Sequence, residues 1–299
     1  MISVYFIISN ILFVATNILI FVLPRPAKIQ TIIPIVVVTA LVEIIFLIKH
    51  FLTKKRSAST ISAFVYALLI IWIVAARFGL SHPVLVPFPE NVFNVFVTNR
   101  KDLIEGFFSS MKILFLGISI AMALGIFLGL FIGYIQGLRE TFLPITKVLS
   151  TIPPLVYTPY VVAVMPTFYS ASIFVIFSAV FWPTFMSMIA RVGSIDKKII
   201  DSARGMNVST PTMLFKIILP YSLPEVIARL STSLTSAMLC LTGAEMLGAS
   251  AGLGYFVKKF SDYADYTRVL AGIIYIAIIV TILNILVELL QKKVIKWRY

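Results

Sequence analysis

Few of the 299 residues belong to types that make and break bonds. There are two histidines, His50 and His82, one cysteine, Cys240, and 12 acids. No His-Glu-x-x-His pair, no paired aspartates in an apolar stretch and no Ser/His couple at one depth is present, so metal hydrolysis and nucleophilic catalysis lack their residues. No Gly-x-x-x-x-Gly-Lys-Ser/Thr loop is present to cradle a phosphate. A single cysteine forms neither an intrachain disulfide nor a cysteine metal site. What remains is suited to recognition. Asp201, Arg204 and Met206 lie in one short helical pattern, Glu225 and Arg229 stand at i and i+4 with the acid first, and Glu245 sits alone in an apolar run.

These groups are carried by an unusually apolar chain. It is 60% hydrophobic and 12% charged, with a mean hydropathy of +1.03, against roughly 45–50% and about 25% in soluble domains. Too little polar sequence is left to cover a water-soluble core, which excludes an ordinary soluble enzyme and a disordered chain. Runs of about 20 apolar residues mark membrane helices. Eight are found: Val4–Leu23, Ile29–Leu52, Thr60–Leu80, Ser110–Tyr134, Pro153–Phe168, Ala171–Ala190, Leu223–Leu247 and Val269–Leu290. The fifth is short and carries four prolines, which predicts a bent or partly unwound segment. The reading is an all-α polytopic membrane protein.

The net charge of +13 fits the same reading better than nucleic-acid binding, because basic residues of membrane proteins gather in cytoplasmic segments. With both termini inside, fifteen Lys/Arg fall on inner segments and seven on outer ones. Both termini are therefore expected in the cytoplasm, and His50 and His82 on opposite sides. Arg25 and Lys28 run against the rule after the first span. The start lacks a basic region and a small-residue cleavage site, so an uncleaved span is expected rather than a signal peptide.

The longest inner segment, Arg191 to Ser222, holds the most organised pattern. Ile195, Ile199, Ile200, Ala203 and Met206 recur at helical spacing. Ser194 is a candidate N-cap, with Asp196 in the first turn. Asn207 accepts a left-handed backbone. Ser209 and Pro211 open a second helix that runs through Phe215 and Ile218 and is expected to end near Pro220. Two short amphipathic helices joined by a turn serve either as an interfacial element on headgroups or as a docking element for a cytoplasmic partner.

The stretch Asp201-Ser202-Ala203, then Asn207, then Ile218-Leu219-Pro220 resembles the E-A-A…G…I-x-L-P loop of binding-protein-dependent ABC importer permeases, with Asp for Glu and Asn for Gly. Three further segments resemble the subgroup that imports nitrate, sulfonates and taurine: Val86-Pro87-Phe88-Pro89-Glu90-Asn91-Val92, Ser150-Thr151-Ile152-Pro153-Pro154, and Ala244-Glu245-Met246-Leu247-Gly248 followed by Gly252-Leu253-Gly254-Tyr255. The four are collinear from about Trp72 to the C-terminus. The resemblance implies a type I permease core of about five to six helices within residues 57–299, preceded by an extra transmembrane hairpin over 1–56, in a prokaryotic inner membrane. It implies two ABC ATPase subunits carrying ATP and Mg, a second permease copy or paralogue, an extracytoplasmic solute-binding protein, and no cofactor, metal or nucleic acid on this chain. The coupling contacts it implies are Asp201, Ser202, Ala203, Arg204, Met206, Asn207, Thr210, Phe215, Leu219 and Pro220, within the loop 191–222. A second resemblance, of Ala203-Arg204-Gly205 to the A-R-G motif of the coupling subunit of vitamin (ECF-type) importers, is the alternative. Small anions and small heterocyclic vitamins or precursors are both within the solute range.

Several span residues have two readings each. Gly117, Ala121, Gly125, Gly129, Gly133 and Gly137 recur every four residues, which lets helices approach closely or lines a pathway. Ser231 and Thr235, with Ser236 and Thr242, offer hydroxyls to a solute or to a neighbouring helix. Glu245 faces the pathway as a gate or ties down the Gly252–Gly254 loop. Glu43 is expected to pair with a neighbouring span, Glu225 with Arg229, and Glu288 with Lys292. An intramembrane enzyme is the reading from another class, and nothing supplies its chemistry.

Overall fold

The computed structural model describes residues 4–22, 31–53, 56–79 and 84–294. His82 and the basic residues Arg25, Lys28, Lys54, Lys55, Lys296 and Arg298 lie outside the described residues. The described chain is helical: α1 Val4–Val22, α2 Ile33–Thr53, α3 Arg56–Arg77, α4 Pro89–Thr98, α5 Arg100–Tyr134, α6 Gln136–Thr151, α7 Pro154–Val164, α8 Phe168–Gly193, α9 Lys197–Gly205, α10 Thr210–Thr212, a π-helical turn Met213–Ile218, α11 Leu219–Ala228, α12 Leu230–Gly248, α13 Leu253–Asp262 and α14 Tyr266–Val294. Six of these are long and apolar enough to cross a membrane: α1, α2, α3, α5, α8 and α14. Thr210–Ala228 and Leu230–Gly248 qualify together as a seventh span, bent by 53°. The proline-rich fifth stretch forms α7, of 11 residues.

Two compact units are formed, Met1–Leu103 with Val257–Ile274, and Ile104–Phe256 with Tyr275–Tyr299. In the first, Ile20, Ile32, Ile35 and Ile73 close a core against Phe93, so the N-terminal hairpin shares its interior with α3 and α4. Polar groups are matched across these helices. The Ser9 and Ser62 hydroxyls bond, and Tyr66 donates to the Thr39 carbonyl at 3.3 Å. The proline-flanked segment before α4 is held by Trp72, whose indole donates to the Pro87 carbonyl at 3.0 Å. Arg77 meets Glu90 at 2.5 Å, with side chains 2% and 0% exposed.

The second unit is built around α8. Its Ile176, Val180, Phe181, Phe185 and Ile189 pack with Leu114, Ile118 and Ala121 of α5 and with Leu234, Ala237, Met238 and Leu241 of α12. Thr167 and Ser170 close a capping box at its start. The glycine repeat of α5 faces α8. A Cβ on Gly129 would stand 2.6 Å from Met188 Cβ, and one on Gly125 would stand 3.1 Å from Thr184 Cγ2. Small residues here are what let the two helices meet. Gly137, past the end of α5, has nothing within 4 Å of its Cβ position.

Candidate functional site

The segment after α8 is ordered by local hydrogen bonds. Asp196, not Ser194, caps α9, its carboxylate accepting from the Lys198 N–H at 2.9 Å. Ser194 closes α8 instead, donating to the Arg191 carbonyl at 2.9 Å. The correction follows from where α8 stops: it runs to Gly193, leaving Ser194 at its C-terminus. At the other end of α9, Asn207 stands at φ 58°. The Asn207 N–H bonds the Arg204 carbonyl at 2.8 Å, and the Val208 N–H bonds the Ala203 carbonyl at 3.1 Å. This is the paired 5→2 and 6→1 pattern of a Schellman turn, with Asn in the glycine position.

That turn folds α9 back on the next helix. Ala203, 2% exposed, packs with Val192, Ile195, Met213, Leu214 and Ile218. The opposite side presents Asp201, Ser202, Arg204 and Thr210 to solvent, with Met206 72% exposed. Phe215 is 44% exposed and meets Phe131 edge-on at 6.1 Å. Met206 thus stands as a large apolar side chain among charged neighbours at the turn. The second helix does not end near Pro220. The chain passes through the π turn, where the Leu219 N–H reaches back to the Leu214 carbonyl. α11 then continues through Leu219 and Pro220 to Ala228. Pro220 follows the π turn directly, as the second residue of α11.

Arg229 marks the bend between α11 and α12. Glu225 sits beside it and serves two cations: Oε1 lies 3.3 Å from Arg229 and Oε2 lies 3.3 Å from Arg191. Arg191 also stacks over Tyr221 at 4.7 Å. The i,i+4 spacing reveals the Arg229 pair; the Arg191 contact, 34 residues away in sequence, leaves no local signal. Between α8 and the bend is a cavity of about 170 Å³, lined by Thr184 and Ser187 of α8, by Val226 and Arg229, and by Thr232 and Ser233 of α12. Ser231 and Thr235 lie on another face of α12. Asn284 donates to Thr235 Oγ1 at 3.1 Å, and Gln291 approaches Ser231 Oγ at 3.4 Å.

Glu245 is 1% exposed and holds the turn that follows α12. Its Oε1 accepts from the Ser110 hydroxyl at 2.5 Å, and its Oε2 accepts from the Gly254 N–H at 2.7 Å. Ser110 in turn accepts from the Leu253 N–H at 2.9 Å. Gly252, at φ 137°, lies so close that a Cβ there would overlap the carboxylate. Sequence reasoning missed Ser110, which is 135 residues from its partner. Glu288 forms no ion pair with Lys292 among the described residues, and those residues hold no cluster of three metal-ligating side chains.

A family profile described as "Binding-protein-dependent transport system inner membrane component" matches residues 121–296. The taurine transport system permease protein TauC of Escherichia coli (strain K12) is 30% identical over 239 residues, covering 77% of this chain and 86% of the relative. The putative aliphatic sulfonates transport permease protein SsuC of Bacillus subtilis (strain 168) is 28% identical, covering 77% and 84%. The nitrate import permease protein NrtB of Synechocystis sp. is 26% identical, covering 76% and 86%. Among solved structures, the MetNI methionine ABC transporter in an inward-facing form matches with a TM-score of 0.55 at 16% identity, over 66% of this chain and 98% of that one.

Proposed function

Because this chain belongs to the inner-membrane components of binding-protein-dependent transport systems, a family of transport permeases and not enzymes, we propose that it forms the solute pathway of an ATP-driven importer and couples that pathway to a separate ATPase through residues 191–222. In this reading two permease subunits, this chain and a second copy or a paralogue, each present the α9 turn to one ATPase subunit, which carries the ATP and Mg. A binding protein delivers the solute outside, and both termini lie in the cytoplasm. The solute is a small anion of the taurine, sulfonate or nitrate kind, the solutes named for the relatives. Residues 1–56 are an additional hairpin ahead of the permease domain at 57–299.

The observation that supports this most is the built turn at Asn207. Two backbone hydrogen bonds lock it, Ala203 is buried behind it, and Asp201, Arg204 and Met206 stand out from it. A rigid helix pair held between α8 and α11 transmits a push, which a floppy loop does not. The test is a pull-down from detergent-solubilised membranes, comparing wild type with Asp201→Arg and assaying the eluate for ATPase activity. Co-purifying ATPase in wild type and its loss in the variant are expected. If wild type brings down no ATPase, the coupling assignment fails.

A further inference from the structure

The cavity between α8 and the Arg229 bend belongs to none of the motifs that carry the resemblance. At about 170 Å³, it is some ten times the roughly 10–15 Å³ that one water requires. Its lining is mixed, with Pro183, Met186 and Val226 apolar and Arg229 and four hydroxyl-bearing residues polar. Arg229 contributes a guanidinium, and Ser187, Thr232 and Ser233 contribute hydroxyls. The Ser187 oxygen is buried and has no hydrogen-bond partner among the described residues, although buried hydroxyls normally find one. The acid beside the cavity does not neutralise it. Glu225 is divided between Arg229 and Arg191, so one carboxylate faces two guanidinia and a net positive charge remains. Arg229 reaches Glu225 through a single nitrogen at 3.3 Å, which leaves most of its five donors available.

We propose that this cavity is a binding subsite for a small oxyanion, a sulfonate or nitrate group. Arg229 takes up the charge, and the Ser187, Thr232 and Ser233 hydroxyls donate to the oxygens. A guanidinium fork beside neutral donors is the arrangement that matches several oxygens on one centre. Delivery of a solute to the site rests on the permease reading above; binding rests on the cavity. The phosphate of an anionic lipid has the same chemistry, and the experiment separates the two sources.

The full-length chain, in nanodiscs of phosphatidylcholine, is titrated with radiolabelled ethanesulfonate, with nitrate as competitor. Saturable binding displaced by nitrate is expected. Arg229→Gln should weaken it about tenfold or more, as loss of a charged hydrogen-bond donor does, whereas Arg229→Lys should keep part of it. Ser187→Ala and Ser233→Ala should each weaken it about two- to fivefold, and these decide the matter if the Arg229 variants misfold. Undiminished binding in Arg229→Gln, or no saturable binding in wild type, overturns the proposal. Displacement by phosphatidylglycerol included in the nanodisc assigns the cavity to a lipid headgroup and overturns it for a solute. ATPase co-purification, scored on the same preparations, reports on the coupling assignment independently.

Discussion

Substitution of Asn207 tests the coupling turn at a single backbone angle. At φ 58° the residue occupies the left-handed region, which costs most L-residues roughly 1–2 kcal/mol and glycine nothing. Asn is among the residues that tolerate it. Asn207→Gly should therefore leave the turn at least as stable as it is. Asn207→Ala should lose up to about 1 kcal/mol, and Asn207→Val, with its branched Cβ, about 2 kcal/mol. A partner that binds only the folded turn loses affinity in proportion to the folded fraction, and about 1.4 kcal/mol is tenfold. Titration of a fixed amount of each variant against the ATPase should rank Gly and Asn together, then Ala, weaker by about fivefold at most, then Val, weaker by about thirtyfold at most, the full factors being reached only where the turn is less than half folded. Limited trypsin digestion gives a readout that needs no partner. Cleavage after Arg204, on the last turn of α9, should quicken in the same order. If the Gly variant binds worst, the Asn side chain itself is the contact and the conformational reasoning is wrong. If Val matches Asn in both assays, the turn does not matter.

Three further outcomes follow from the packing. Ser110→Ala removes a donor to Glu245 and strips the Leu253 N–H of its acceptor, two losses of about 1–3 kcal/mol each; thermal unfolding in detergent should show a clear drop, and an unchanged midpoint would contradict the clamp. Removing the carboxylate of the buried Arg77–Glu90 pair with Glu90→Gln should lower the melting temperature, whereas Arg77→Met with Glu90→Leu should recover most of the loss; a double variant no better than the single one would count against loss of the pair as the cause. Gly129→Ala should lower yield and melting temperature because its Cβ would meet Met188, while Gly137→Ala should be neutral or stabilising. Equal effects of the two glycine changes would remove the helix-contact explanation.

The features legible in the sequence are those written locally. Asn207 at the end of a helical pattern signalled its turn, and long apolar runs signalled the spans. The Glu225–Arg229 pair followed from spacing. Ser194 misled because it and Asp196 both fit a cap, and only the true end of α8 decides between them. Pro220 looked like a stop, but the π turn before it realigns the backbone so that the helix continues. On α12 hydroxyls occur around much of the circumference, so which of them face the cavity depends on where α8 and α14 pack. Ser231 and Thr235 fall toward α14, and Thr232 and Ser233 toward the cavity. The Ser110–Glu245 and Arg191–Glu225 contacts join distant segments, and no period or motif encodes such a meeting.

The unbroken run from Thr210 through the π turn to Ala228 has a mechanical meaning. At about 1.5 Å per residue, its nineteen residues form a rod nearly 30 Å long. One end lies next to the α9 turn and the other is the Arg229 bend that lines the cavity. A tilt of about 5° imposed at the first end displaces the second by roughly 2.5 Å over such a length, comparable to the reach of a hydrogen bond. Had the helix stopped at Pro220, a push at the surface would dissipate in a hinge. Under the proposed coupling, the prolines sit inside a lever, and a small rotation at the α9 turn would be carried to the Arg229 bend.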